Sequence, residues 1–263
     1  MNDQSNGQKL FLTRLRRHRI TVLISRVLTV FLFLWELCAR FEIIDSFIFS
    51  SPSKITLCFL EMLKNRSLFL HIGITLYETF ISFILVILLS ILAAILLWYS
   101  KKLSEILEPY LVVLNSLPKS ALAPLLIVWL GATSKTIIIA GMSVAIFGSI
   151  LNLYTAFINV DQEKIKLIYT LHGNRRHALT KVVLPSSVPA IISNMKVNIG
   201  LCLVGVIIGE FLAAKSGLGY LIIYSSQVFK MDWLLMSIIL LCIMAMGLYA
   251  LINVVEKRVL KKY

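Results

Sequence analysis

Three stretches of this chain run without a single Asp, Glu, Lys or Arg: Thr79 to Ser100, Thr136 to Val160 and Trp233 to Val255. Each is long enough for a helix to cross a bilayer core of about 30 Å, which takes about 20 apolar residues. With 263 residues, 59% of them hydrophobic and only 15% charged, the chain is too apolar for one soluble core with a polar surface. Three further apolar stretches are interrupted. Ile20 to Ala39 carries Arg26 and Glu36, Tyr110 to Leu130 carries Lys119, and Ser187 to Ala214 carries Lys196 and Glu210. The expectation is an all-α integral membrane protein of about six transmembrane helices. A basic N-terminus covers 1–19, a transmembrane domain 20–255 and a basic tail 256–263.

The net charge of +13 is no sign of nucleic-acid binding, because the basic residues sit between the apolar spans. With the N-terminus inside, the inner segments hold sixteen Lys and Arg and the outer loops seven. The positive-inside rule therefore selects N-in and C-in. The basic run from Lys9 to Arg19 resembles the start of a signal peptide, but the apolar stretch after it is long and no small-x-small site follows Cys38-Ala39-Arg40, so a retained first helix is expected. Cys38, Cys58, Cys202 and Cys242 form no Cys-x-x-Cys pair and read as unpaired structural cysteines.

Beyond the first span, Ser50-Ser51-Pro52-Ser53 is a turn able to cap a short helix from Lys54 to Lys64, with Leu57, Leu60 and Leu63 at helical spacing. That helix is expected to lie along the membrane surface. In the third span Pro118 and Pro124 stand among Asn115, Ser116, Lys119 and Ser120. Broken helix at membrane depth needs protein or a water-filled cavity beside it. Asn115, Pro118, Ser120 and Pro124 are therefore candidates for a transport path, against a kink buried in packing. Glu210 is an ionisable group near the outer end of the fifth span. It reads as a gating or helix-positioning group placed with that path, or as a group exposed at the interface. Lys196 is a weaker candidate for contact with an anionic solute, since Asn194 and Asn198 fall on the opposite helical face. Gly205 and Gly209 form a small-x-x-x-small pair suited to close helix approach.

The longest hydrophilic loop, Asp161 to Pro185, is inside by the charge distribution. Ile165, Ile168 and Leu171 recur at helical spacing, His172-Gly173-Asn174 offers a turn, and a second short helix is expected over Arg175 to Val183. Such a loop suits docking to a soluble partner, or an amphipathic stretch resting on anionic lipid. His172 and His177 are five apart and do not form a two-histidine metal site.

Several separated motifs carry a resemblance over nearly the whole chain. They are Leu34-Trp35-Glu36-Leu37, the Ser51-Pro52-Ser53 turn, Leu117-Pro118-Lys119-Ser120-Ala121-Leu122-Ala123-Pro124-Leu125 leading to Trp129-Leu130-Gly131, Val182-Val183-Leu184-Pro185 with Pro189, Gly209-Glu210-Phe211, and Ser216-Gly217-Leu218-Gly219-Tyr220. In this order they resemble the permeases of binding-protein-dependent ABC importers, of the nitrate/sulfonate/taurine type. The resemblance implies the type I importer permease fold, with the Asp161–Pro185 loop as the coupling helices that dock on an ATPase subunit. Lys166, Leu171, His172, Gly173, Asn174, Arg175 and Arg176 would form that coupling surface. Where the family has a Glu-Ala-Ala start and a glycine at the turn, this chain has Lys166-Leu167-Ile168 and His172, with Gly173 one place later.

No Gly-x-x-x-x-Gly-Lys-Ser/Thr loop and no magnesium-holding carboxylate strand is present. The expectation is therefore no enzyme and no cofactor on this chain, with ATP and Mg on partner ATPases. Two permease copies or related permeases, an external binding protein and membrane lipid complete the expected partners, with no nucleic acid. The setting is the bacterial inner membrane. The competing reading is a secondary transporter or channel. The charge-free spans lack carboxylates able to relay protons, and an intramembrane enzyme would need catalytic motifs that are missing.

Overall fold

The computed structural model describes residues 23, 25–27 and 29–260. The basic run 9–19 and the last tail residues 261–263 lie outside the described residues, as does the start of the first expected span. Among the described residues all regular structure is helical. α1 is helical at its described positions over 23–40. Two short helices follow, α2 (Ser46–Phe49) and α3 (Pro52–Lys64), then α4 (Ser67–Tyr99), α5 (Lys101–Ser116), α6 (Lys119–Leu130) and α7 (Ser134–Ile158). α8 (Gln162–Thr170) and α9 (Arg175–Ala178) lead through a π-helical turn, Leu179–Val183, into α10 (Leu184–Ala213), and α11 (Leu218–Gln227) and α12 (Met231–Leu260) complete the chain. Among the described residues four helical segments are long and apolar enough to cross a membrane, and α5 with α6, bent by 96°, adds a fifth if the pair is counted as one broken span.

Three local expectations are corrected, and the break expected in the third span is present. α4 begins at Ser67, well before the charge-free run, because Glu78 is buried inside the protein and ends nothing. The third span is broken, as expected, into two helices. Leu117, preceding a proline, is held in extended backbone (φ −63°, ψ 141°), and Pro118 starts the next helix. Pro124 does not break α6, which continues to Leu130 and stops at Gly131, where φ is +77°. The second loop helix is not separate, since Arg175 to Ala213 forms one continuous helix. Pro185 and Pro189 lack the N–H that an α-ladder requires. Just before them the ladder widens, with the Leu184 N–H donating to the Leu179 carbonyl, five residues back.

α3 keeps its expected cap, with Ser51 Oγ accepting from Lys54 N and Pro52 in the first turn. Its inward face, however, is Ile55, Cys58 and Met62, and Leu57 and Leu60 point outward. On this helix, outside the spans, burial pushes the Cys58 thiol up to about 11, and its Sγ rests 3.7 Å from Met236 Sδ. It is a packing group, and all four cysteines are free.

The centre of the bundle is α7 packed against both α4 and α10. Glycine makes that packing possible. A Cβ on Gly205 would lie 2.8 Å from Gly141 Cα and 2.9 Å from the Ala140 carbonyl, and one on Gly209 would lie 3.1 Å from Ile137 Cα. The small-residue pair of α10 is therefore used within the chain, against α7. Two apolar cores flank this contact. One gathers α3, α4, α10, α11 and α12 around Phe83, Val86, Cys202 and Met236. The other sits at the opposite end of the bundle, where Leu97, Leu153 and Phe157 meet Ile165, Leu179 and Val183. Lys196 is committed to structure, being ion-paired with Glu256 of α12 and 5.8 Å from the Tyr249 ring. On the other side of α10, Asn194 and Asn198 both donate to Ser149 Oγ, at 2.7 and 2.8 Å.

Candidate functional sites at the two ends of the bundle and at its broken helix

The coupling loop is an exposed tip on a buried base. Asp161 caps α8 by accepting from Glu163 N at 2.9 Å. Ile165 sits in the core beneath, with Ile168 packed against it, so Lys166, Leu167 and Leu171 face outward. Leu171 is 69% exposed and Leu167 on the same loop 58%, so the tip of this charged loop also presents apolar surface. The turn explains why the glycine is displaced. His172 takes the left-handed conformation (φ 58°), at a cost of about 1–2 kcal/mol. Gly173 is required by proximity, since a Cβ there would meet the Ile168 carbonyl at 2.7 Å. Asn174 then starts α9 with a reciprocal cap, accepting from His177 N at 3.0 Å while His177 Nδ1 accepts from Asn174 N at 3.3 Å. Arg175 turns back to the bundle, donating to the Trp98 carbonyl at 2.9 Å and lying 5.3 and 5.5 Å from the Trp98 and Tyr99 rings. Lys166, Leu171, His172 and Arg176 remain exposed.

At the break between α5 and α6, Asn115, Pro118, Ser120 and Pro124 are all exposed on this chain. The carbonyls freed at the end of α5 are satisfied by Lys119, whose Nζ donates to Leu114 O and, at 3.0 Å, to Asn115 O. The same ammonium lies 5.3 Å from the Phe147 ring. Asn115 faces Gly148 of α7, where a Cβ would come within 3.1 Å of Asn115 Oδ1.

Glu210 does not join that exposed group. It is fully buried, which removes the interfacial reading. Its Oε1 accepts from Thr75 Oγ1 at 2.7 Å and its Oε2 from Gly219 N at 2.6 Å. Thr75 Oγ1 accepts from Leu218 N at 2.8 Å, and His71 Nδ1 accepts from Gly217 N at 3.0 Å. Three successive N–H groups at the start of α11, which has no side-chain cap of its own, are thus satisfied by α4 and α10. This is how a helix N-terminus is best met, by acceptors and negative charge. Gly217 adopts φ +122°, and a side chain on either Gly217 or Gly219 would strike the Glu210 carboxylate. His71 stacks on Tyr220, with ring centroids 6.2 Å apart. Glu78, also fully buried, lies beside Glu210 and Ser134. Among the described residues neither of its oxygens has a hydrogen-bond partner.

Sequence reasoning located the tip and the break but missed Thr75, His71 and Glu78. The only signal for them was polar residues within an apolar helix. Comparison with known proteins adds the identity. The family described as binding-protein-dependent transport system inner membrane component matches residues 86–262. A probable ABC transporter permease protein of Haemophilus influenzae is 27% identical over 225 residues, covering 85% of this chain and 90% of that protein. A putative aliphatic sulfonates transport permease protein of Bacillus subtilis is 26% identical over 234 residues, covering 88% and 84%. A chain from the crystal structure of an amino acid ABC transporter with histidines superposes with a TM-score of 0.61 at 18% identity, over 76% of this chain and 98% of that chain, and so shares the fold. The resemblance read from the ordered motifs is borne out: this chain belongs to the binding-protein-dependent inner membrane components and is a multi-pass permease subunit of an ABC importer.

Proposed function

We propose that the exposed tip Lys166, Leu171, His172 and Arg176, with Gly173, Asn174 and Arg175 shaping it from beneath, is where a partner ATPase drives this permease. The observation that carries the reading is a solvent-facing leucine and three cationic or imidazole side chains mounted on a loop whose base is locked into the core by Ile165 and Ile168. ATP and Mg are then held by the partner, two permeases pair, and an external binding protein delivers solute from the α11 end. Both termini face the cytoplasm in this arrangement, in keeping with the distribution of Lys and Arg. Asn115, Pro118, Ser120 and Pro124 line the path, exposed on one chain and facing the space between two. Glu210 acts from outside that path, holding α11 in place while the bundle moves. The α8 end moves with the ATPases, and the α5–α6 break opens alternately to either side of the membrane.

Lys166 sets the charge of the contact. Bringing like charges together at an interface costs several kcal/mol, so the partner surface facing Lys166 is acidic or neutral. Lys166→Glu should weaken co-purification with the cognate ATPase and lower its ATPase stimulation in lipid. Undiminished stimulation would remove Lys166 from the contact and confine docking to Leu171 through Arg176.

A further inference from the structure

The end of the bundle that carries the coupling loop holds a cleft of about 370 Å³ between α4, α5, α7 and α8. Its lining combines apolar Leu97, Ile158 and Ile165 with the polar and cationic groups of Lys101, Tyr169 and Arg175. Among the described residues that line it none carries a carboxylate. Arg175 is pre-positioned, its guanidinium held by the Trp98 carbonyl and set against two aromatic rings, with its remaining N–H groups free to meet an anion. α5 opens at the same place, with Ser100 capping Leu103 N and the helix dipole adding partial positive charge. Lys101 is 3.8 Å from Glu105, and both side chains of that pair are largely in solvent, where such a contact contributes little.

Depth decides what fits. The apolar run of α4 ends at Trp98 and Tyr99, the residue types that mark a membrane–water interface. Lys101 and Arg175 stand just beyond them, while Leu97 and Ile158 belong to the two membrane helices that end here. An occupant that is both anionic and apolar matches this mixed lining. We propose that this cleft binds the phosphate headgroup of an anionic phospholipid, with an acyl chain against the exposed side chain of Ile158. The inference goes beyond the transport reading, because it gives the base of the coupling loop a lipid ligand. An acidic segment of the ATPase would match the cationic residues of the lining but not the apolar ones.

The test uses the purified complex of this chain with its partner subunits, equilibrated with equal phosphatidylglycerol and phosphatidylcholine and examined by native mass spectrometry. Phosphatidylglycerol should be retained in preference, and Lys101→Gln should lower its affinity about fivefold, the contribution of one basic residue near a lipid surface. Lys102→Gln, exposed but outside the cleft, should leave retention unchanged, and excess inorganic phosphate should not displace the lipid. Equal loss in both variants would show diffuse surface charge and overturn the site. Displacement by phosphate would show a free-anion site. Loss of the ATPase from Lys101→Gln with lipid retention unchanged would make the cleft a protein contact. Any of these three results contradicts the proposal.

Discussion

At the α11 end of the bundle the N–H groups of Gly217, Leu218 and Gly219 are met inside the chain, while at the α8 end the loop leaves an apolar side chain and several cationic ones in the open. Around Glu210, one carboxylate, one threonine and one histidine from α4 and α10 accept the first N–H groups of α11. Around Leu171 the base is packed, and among the described residues the tip side chains Lys166, Leu171, His172 and Arg176 stay exposed. The difference teaches what each end is for. A turn held by its own chain behaves as a fixed joint, and a tip folded firmly beneath but open above is what the proposed docking to an ATPase requires.

The largest effect should come from breaking the fixed joint. Glu210→Ala strands the Gly219 N–H and removes the acceptor for Thr75 in a fully buried place, and should cost about 3–5 kcal/mol. Thermal unfolding of the purified subunit measures it. A loss below about 1 kcal/mol, the worth of an ordinary hydrogen bond, would mean that the start of α11 finds other partners. Ser120→Trp sharpens the comparison from the other side. Ser120 is exposed on α6, so stability should change by no more than about 0.5 kcal/mol, yet solute uptake should stop while the subunits still assemble. Uptake at the parental rate would take the α5–α6 break out of the path.

How much of this was legible before the structure depended on whether a residue acts within its own segment. α7 and α12 lie within a few residues of the charge-free runs, because a helix surrounded by apolar neighbours needs nothing else. α4 was read short because a charge is taken to end a span, which holds only if the charge faces lipid, and Glu78 faces protein. Pro118 was read correctly as a break and Pro124 wrongly, since an interior proline is tolerated where neighbouring helices hold the backbone. Glu210 was read as a gating or helix-positioning group, but the partner that decides between these was out of reach, as Thr75 is 135 residues away. The shift of glycine from 172 to 173 looked like a departure from a motif. The geometry turns it into a division of labour, with His172 taking the left-handed turn and Gly173 the close approach to Ile168.

The most direct test of the account is solute-stimulated ATPase activity of the reconstituted complex carrying Leu171→Asp. Leu171 is 69% exposed in this chain, so the substitution should leave the fold within about 0.5 kcal/mol of its parent. As the apolar centre of a docking surface it should cost about 2 kcal/mol or more of binding to the ATPase, abolishing stimulation at subunit concentrations that saturate the parent. Loss of stimulation with an unchanged unfolding temperature is the predicted result. Full stimulation in the Leu171→Asp complex would contradict the claim that this loop is where ATP hydrolysis is coupled to transport.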